Sequence, residues 1–193
     1  MILASHVIFG TYGFWLPNDP RGSWSTYVRC WEIFLEGGTA TKVATTDSHA
    51  HIAHDVKQRL DTKKSLMYPP VILNGLQARA VGHGFAKVVS EYKHPVFACS
   101  ILPEHVHLVI GRTTIDVRQV VKLLKQQATL RLKEEGLHPF AEMDASISPW
   151  SRGCWSVFLN DEEAVHRAIR YVENNPLKEG KPKQNWSFVK PFQ

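Results

Sequence analysis

Two short apolar runs rich in β-branched residues lie almost next to each other near the middle of the chain. They cover Val96 to Leu102 and His105 to Ile110, and only Pro103 and Glu104 separate them. A two-residue connection is too short for the crossover that parallel strands need, so the runs are expected to pair as an antiparallel hairpin. Any fold for this chain therefore contains an antiparallel strand pair at its centre.

Three longer segments outside this hairpin have the periodicity of helices. Asn74 can cap a helix over roughly Gly75 to Tyr92, and apolar residues recur at helical spacing from about Val117 to Glu134. A last helix is expected from an Asn160 cap to about Asn174, because the proline two residues later disfavours its continuation. Acidic residues directly after Asn160 favour the positive end of the helix dipole.

Two further β-rich runs complete the pattern. The first covers His6 to Tyr12 and the other lies near Cys154 to Leu159. The predicted order is therefore β, α, β, β, α, β, α. With an antiparallel central pair, this order predicts an α+β fold in which helices pack on a four-stranded antiparallel sheet, close to a ferredoxin-like arrangement.

The length of 193 residues suits one domain, spanning residues 1–193. Periodicity is weak from about residue 32 to 70, so this stretch is expected to be an insertion with one short helix within AHDVKQRLDTKK. The insertion also contains a histidine-rich run that resembles a metal cluster but has no rigid frame to hold ligands. Its members are Asp47, His49, His51 and His54.

Composition excludes several classes of protein. No apolar run approaches the about 18 residues of a transmembrane helix, and the first residues lack the basic region of a signal peptide. We therefore expect a cytoplasmic protein without a membrane partner. The three cysteines form no CxxC pair, which argues against a disulfide framework or a zinc finger. The net charge of +5 permits a phosphate-bearing partner without requiring one.

His105 and His107 flank Val106 on the second strand of the hairpin. Residues i and i+2 of a strand point to the same face, so the two imidazoles are expected to converge. Two imidazoles on a rigid strand can chelate one divalent ion, and a third oxygen or nitrogen ligand would leave positions open for substrate. A histidine pair with this spacing also arises by chance, so it does not establish a metal site alone.

Tyr171 lies near the end of the last predicted helix, within RYVENNP. Asn174 and Asn175 follow three and four residues later on the same helix face, and their amide oxygens can bind a hard metal ion. Arg167 and Arg170 precede the tyrosine and suit a phosphate group. A tyrosine in such a place is otherwise a half-buried amphipathic side chain.

More basic side chains follow the histidine strand and line the second long helix. They are Arg112, Lys122, Lys125 and Arg131. These residues are candidates for contacts with nucleic-acid phosphates, although a solvated helix face has the same pattern.

Taken together, these motifs resemble a known family. LPEHVHLVI and YVENNP, separated by one helix, a WSRGCW loop and a strand, look like the single-tyrosine HUH transposases, in particular the insertion-sequence and REP-associated tyrosine transposases. The opening GTYGFWLPNDPRGSW is also similar to members of that group. The likeness covers the first strand and nearly everything from about residue 74 to 180.

The resemblance implies single-strand DNA cleavage and strand transfer through a 5′-phosphotyrosine intermediate. It assigns the HUH histidines to a central strand and the nucleophile, Tyr171, to the C-terminal helix. The metal ligands that it implies are His105, His107 and Asn175, with Asn174 as the substitute for the last. Mg²⁺ or Mn²⁺ is the implied ion, single-stranded or hairpin DNA is the implied partner, and no nucleotide cofactor is needed.

Several alternatives stay open at this point. The protein could be a domesticated DNA-binding protein, or a nuclease that processes REP hairpins without mobilising its own gene. Replication-initiator or relaxase chemistry uses the same HUH principle, but such proteins usually have longer chains. Relatives include monomers and also homodimers that exchange the tyrosine helix, so the assembly state is open as well.

Overall fold

The computed structural model describes residues 1–44 and 52–193. These residues form two compact units, one made of Met1–Thr11 with Ile72–Gln193 and the other of Tyr12–Val71. The expectation of one domain with an insertion at about 32–70 stays a prediction. None of the helices in the described ranges combines the length and apolarity that a membrane-spanning segment needs.

The described residues contain four strands and five helices. The strands are β1 (Ala4–Gly10), β2 (Val96–Ile101), β3 (His105–Gly111) and β4 (Trp155–Leu159). The helices are α1 (Trp31–Gly37), α2 (Val56–Lys64), α3 (Gly75–Tyr92), α4 (Val117–Glu134) and α5 (Glu162–Lys178). The strands form one sheet in the order β2-β3-β1-β4, and every neighbouring pair is antiparallel. This is the ferredoxin-like order, so the predicted α+β fold is confirmed.

Helices α3 and α4 cover one face of the sheet. Asn74 begins α3 with a capping box, in which its side chain accepts a hydrogen bond from the Gln77 backbone while the Gln77 side chain accepts one from the Asn74 backbone. The two helices pack so closely that a Cβ at Gly84 would lie 2.7 Å from the backbone of Ala128. The bounds predicted for both helices are confirmed.

Helix α5 covers the opposite face of the sheet. Its buried residues Val165, Ala168 and Val172 belong to an apolar cluster with Val109 of β3 and Leu159 of β4. Burial of this stripe fixes the rotation of the helix, because turning it would expose the apolar side chains. Helix α5 and the residues around it therefore cover one face of the sheet.

The predicted ends of α5 and the predicted range of the first strand are wrong. Asp161, not Asn160, is the cap, and its side chain accepts a hydrogen bond of 2.7 Å from Ala164. The helix passes through the buried Pro176 and ends at Lys178, because a proline in the last turn removes only its own hydrogen bond and its packing offsets that loss. Strand β1 begins and ends two residues earlier than expected.

The residues after α5 run along the free side of β2. The Gln184 side chain accepts a 2.8 Å hydrogen bond from the Ile101 backbone nitrogen and donates a 2.7 Å bond to the Ile101 carbonyl. Further along, the Lys190 nitrogen donates to the Val96 carbonyl. This tail therefore covers a strand edge that would otherwise be open to pairing.

The smaller unit contains α1 and α2. Asp55 caps α2, and the short helix expected in the insertion is confirmed. Helix α1 was not predicted, because it has only 7 residues and no side-chain cap to mark its start. Nearby, the buried carboxylate of Asp19 accepts two 2.7 Å hydrogen bonds from Arg21, whose guanidinium also lies over the Trp15 ring.

Candidate active site

Strand β3 brings two histidines to the sheet face that α5 covers. His105 and His107 alternate with the buried Val106, which points to the other face. The rings of the two histidines lie 4.9 Å apart, centroid to centroid. His107 is almost completely buried, with 3% of its surface exposed, whereas His105 is partly accessible. His105 is therefore the more accessible member of the pair.

Tyr171, on α5, lies next to this histidine pair. Its ring centroid is 5.6 Å from that of His107, and 39% of the residue is exposed. The ammonium nitrogen of Lys178, about two helical turns later, lies 4.6 Å from the centroid of the tyrosine ring. The phenol is thus accessible to a substrate and is flanked by an imidazole and a positive charge.

A third histidine, His6 of β1, completes the cluster. Its Nε2 lies 3.3 Å from Nδ1 of His107, and its ring lies edge-on to Tyr171 at 5.7 Å. The sequence motifs do not include this residue. A single histidine on a strand carries no local signal, and only the register of β1 against β3 reveals that it faces the pair on β3.

The three histidines are held in the uncharged form by their surroundings. Burial lowers the pKa of His6 and of His105 to about 4. Burial also lowers the pKa of His107 far below its usual value, and a positive charge on His105, His6 or Lys178 would lower it further. Neutral imidazoles retain the lone pairs that a metal ion would need.

The donor set around the histidines fits a hard divalent ion. Asn175, one turn after Tyr171, is buried, and its Nδ2 has no hydrogen-bond partner among the residues that the structure describes. Turning this amide over would place its oxygen, a donor that suits a hard metal ion, where the nitrogen stands. Asn174, the expected substitute, is exposed on the helix. Within residues 1–44 and 52–193, no group of three or more His, Cys, Asp and Glu side chains is placed to hold a metal ion.

Glu179 is a further polar neighbour that the sequence motifs do not include. Its Oε1 lies 3.9 Å from Nε2 of His105, and burial raises the pKa of its carboxyl group. Both Glu179 and Lys178 were missed for the same reason. The predicted helix ended before Pro176, so no helical spacing connected these residues with Tyr171.

The six basic candidates for DNA contacts are distributed over both faces of the sheet. Arg167 and Arg170 are exposed on the same helix as Tyr171, although Arg167 pairs with Glu163. Arg112 follows β3 and is exposed. Helix α4, which carries the other three, packs on the face opposite Tyr171, where Lys125 lies 4.9 Å from the ring centroid of Phe9.

These three residues of α4 differ in what they contact. Lys122 is exposed. Arg131 forms ion pairs with Glu134 and Glu135. The ammonium of Lys125 donates to the carbonyls of Ser151 and Gly153, at 2.9 Å and 2.5 Å, and so holds the loop before β4. A role of all six in DNA binding stays a prediction.

Most of the histidine-rich run in the insertion lies outside the described residues. This applies to Asp47, His49 and His51. His54 is described, and its Nδ1 is hydrogen-bonded to the Ile52 carbonyl oxygen at 2.7 Å.

Comparison with known proteins gives a match to one family model. Residues 68–175 match the model for IS200-like transposases, a range that includes both histidines of β3, Tyr171 and Asn175. Two solved structures are similar at low identity. One is a REP-associated tyrosine transposase bound to a REP hairpin, which is 14% identical to this chain with a TM-score of 0.48. The match covers 94% of this chain and 71% of the transposase chain. The other, a Deinococcus radiodurans R1 protein provisionally described as a transposase, is also 14% identical, with a TM-score of 0.47 and coverage of 90% and 91%.

No curated protein matches the sequence significantly. The family model, in contrast, accounts for more than half of the 193 residues and includes the strand and the helix that meet at the site. The chain therefore belongs to the family of IS200-like transposases.

Proposed function

We propose that this protein cleaves and rejoins single-stranded DNA with Tyr171 as the nucleophile. The observation that supports this most directly is the contact between Tyr171 and His107, whose ring centroids are 5.6 Å apart. A tyrosine that is exposed, lies on a rigid helix and faces buried neutral imidazoles has the surroundings that an attacking phenol needs at a metal-bound phosphate.

The chemistry is a displacement at phosphorus. The Tyr171 oxygen loses its proton to solvent and forms a bond to the phosphorus, while the bond between phosphorus and the 3′ oxygen breaks. The departing 3′ oxygen takes up a proton and becomes a free hydroxyl group. The 5′ phosphate then stays on the protein as a tyrosine ester, and attack by another 3′ hydroxyl reverses the step and joins two strands.

The ligands for a divalent ion would be His105, His107 and Asn175. When bound, Mg²⁺ or Mn²⁺ would draw charge from a non-bridging phosphate oxygen and so make the phosphorus more electrophilic. Lys178 supplies a second positive charge, because its ammonium lies next to the tyrosine ring and can pair with a phosphate oxygen at the point of attack. Neither contribution requires a nucleotide cofactor.

The proposed substrate is unpaired or hairpin DNA. A phosphorus atom must come within bonding distance of the Tyr171 oxygen and in line with it, and a flexible single strand can bend into this position more easily than a stiff duplex. Arg170 is exposed one residue before the tyrosine, and we propose that it contacts a neighbouring phosphate.

A covalent-adduct assay tests the proposal. The protein is incubated with labelled single-stranded and hairpin oligonucleotides and Mn²⁺, and the products are separated under denaturing conditions. We expect a DNA–protein adduct whose phosphotyrosine maps to the peptide that contains RYVENNP. Tyr171→Phe, which removes one oxygen and keeps the ring, should abolish the adduct, and His105→Ala should reduce it to the level seen without metal.

Tyr92→Phe is the matched control. Tyr92 is also an exposed tyrosine near the end of a helix, and it stacks on His94, but it is on α3 at the other face of the sheet. This variant should form adduct as the wild type does. An adduct that survives in Tyr171→Phe and disappears in Tyr92→Phe would contradict the proposal.

A further inference from the structure

His6 lies in the cluster but is neither a proposed metal ligand nor the proposed nucleophile. On β1 it lies opposite Val109 of β3 and Val157 of β4, while its neighbour Ile8 lies opposite His107 and Trp155. Paired residues share a face, so His6 reaches diagonally to one ring on each adjacent strand. The register thus sets His6 between His107 and Trp155.

Three aromatic neighbours fix the orientation of the His6 ring. It lies edge to edge and nearly coplanar with His107, at a centroid distance of 5.5 Å and an angle of 22°, and it meets Trp155 edge-on at 5.7 Å and 88°. The Tyr171 ring, on α5, contacts His6 on a third side, with a centroid distance of 5.7 Å and an interplanar angle of 68°. These neighbours pack the ring in an orientation that places its Nε2 3.3 Å from Nδ1 of His107.

The protons of this contact follow from the role of His107. A histidine that binds a metal through Nε2 carries its proton on Nδ1, and that N–H normally donates to a second group which fixes the ring. The group at hydrogen-bond distance from Nδ1 of His107 is Nε2 of His6. His6 must then accept at Nε2 and carry its own proton on Nδ1.

We propose that His6 is a positioning residue that accepts a hydrogen bond from His107 Nδ1 and thereby presents Nε2 of His107 to the metal ion. The idea rests on the proposed function for the identity of the ligands. Through its ring contact with Tyr171, His6 also connects the ligand strand to the nucleophile helix. It acts through these two residues and does not touch the substrate.

Two substitutions separate the hydrogen bond from the packing. His6→Phe keeps an aromatic ring between His107, Trp155 and Tyr171 but removes both nitrogens. His6→Gln places an amide oxygen near the position of Nε2, so it can still accept from His107. His166→Phe is the matched control, since His166 is exposed on α5 and contacts Phe192 away from the cluster.

The first measurement is Mn²⁺ affinity in the absence of DNA, by titration with electron paramagnetic resonance. His6→Phe should bind Mn²⁺ about 10- to 100-fold more weakly, the usual effect of losing the group that orients a metal-binding histidine. His6→Gln should stay within about threefold of the wild type, and His166→Phe should equal it. A purely structural role would not separate Phe from Gln in this order. Equal affinity of His6→Phe and wild type, or an equal loss in both variants, would overturn the proposal.

The second measurement is the proton position on His107 in the metal-free protein, by ¹⁵N NMR of the imidazoles. We expect the proton on Nδ1 in the wild type and in His6→Gln, and a shift towards Nε2 in His6→Phe. A proton on Nε2 of His107 in the wild type refutes the proposal even if the Phe variant does not fold. Because neither readout uses DNA, a wild type that passes both tests but forms no adduct counts against the proposed function alone.

Discussion

Lys125 shows how the surroundings of one residue can change its expected role. The sequence places it among the basic residues of an exposed helix, but its ammonium donates to two backbone carbonyls of the loop before β4. Lys122, one turn earlier, projects into solvent. The two lysines therefore offer a matched pair for separating stability from DNA contact.

Lys125→Met is expected to destabilise the protein. The substitution keeps most of the apolar stem but leaves the carbonyls of Ser151 and Gly153 without their charged donor, which should cost about 1–3 kcal/mol in urea unfolding. Lys122→Met should change the free energy of unfolding by less than about 0.5 kcal/mol. The opposite order of the two effects would refute a structural role for Lys125.

The same pair gives a test of DNA binding at the residue scale. If Lys122 contacts a phosphate, Lys122→Met should reduce the slope of log affinity against log salt by about one, measured with a hairpin oligonucleotide. An unchanged slope would show that Lys122 does not contact a phosphate. In that case, the basic residues near Tyr171 would have to supply the phosphate contacts.

At the scale of elements, the packing of α3 on α4 depends on a glycine. A methyl group at Gly84 would meet the Ala128 backbone at 2.7 Å, whereas one at Gly75, at the start of the same helix, would meet nothing within 4 Å. Gly84→Ala should therefore push the helices apart and cost about 1–3 kcal/mol in thermal or urea unfolding.

Gly75→Ala is the control on the same helix. Alanine has the higher helix propensity and no clash at this position, so the variant should be neutral or slightly stabilising. Equal stability of the two alanine variants would mean that α3 and α4 tolerate a larger separation than the structure indicates.

At the scale of the whole molecule, the C-terminal tail protects the open side of the sheet. The Gln184 side chain forms two hydrogen bonds with the Ile101 backbone, as a residue of a neighbouring strand would. Trp186 stacks on Phe188, which also contacts Phe85 of α3. The tail thus combines edge protection with burial of aromatic surface.

Removal of residues 182–193 should lower the melting temperature by more than about 5 °C and promote association of the truncated chain. Gln184→Ala is the milder test, with an expected cost of about 1–2 kcal/mol, because both polar groups of Ile101 lose their partner. Lys183→Ala, at an exposed neighbouring position, should have almost no effect. A truncated chain that melts at the wild-type temperature would disprove the protective role.

Local signals in the sequence determined a large part of this protein. The two-residue connection between the apolar runs requires an antiparallel hairpin, and the Asn74 capping box and the apolar spacing mark the ends of α3 and α4. The strand period places His105 and His107 on one face, and the helix period relates Tyr171 to Asn175. Each of these signals lies within a few residues of its effect, so it can be interpreted without knowledge of the rest of the chain.

Tertiary structure alone decided the rest. The length of α5 depends on the burial of Pro176, whose packing offsets a penalty that local rules treat as a stop, and this longer helix brings Lys178 and Glu179 to the site. The place of His6 depends on the register of β1 against β3, which the whole sheet sets by burying its apolar residues. Contacts between residues that are far apart in the chain depend on the packing energy of the whole fold. A local sequence pattern does not contain that information.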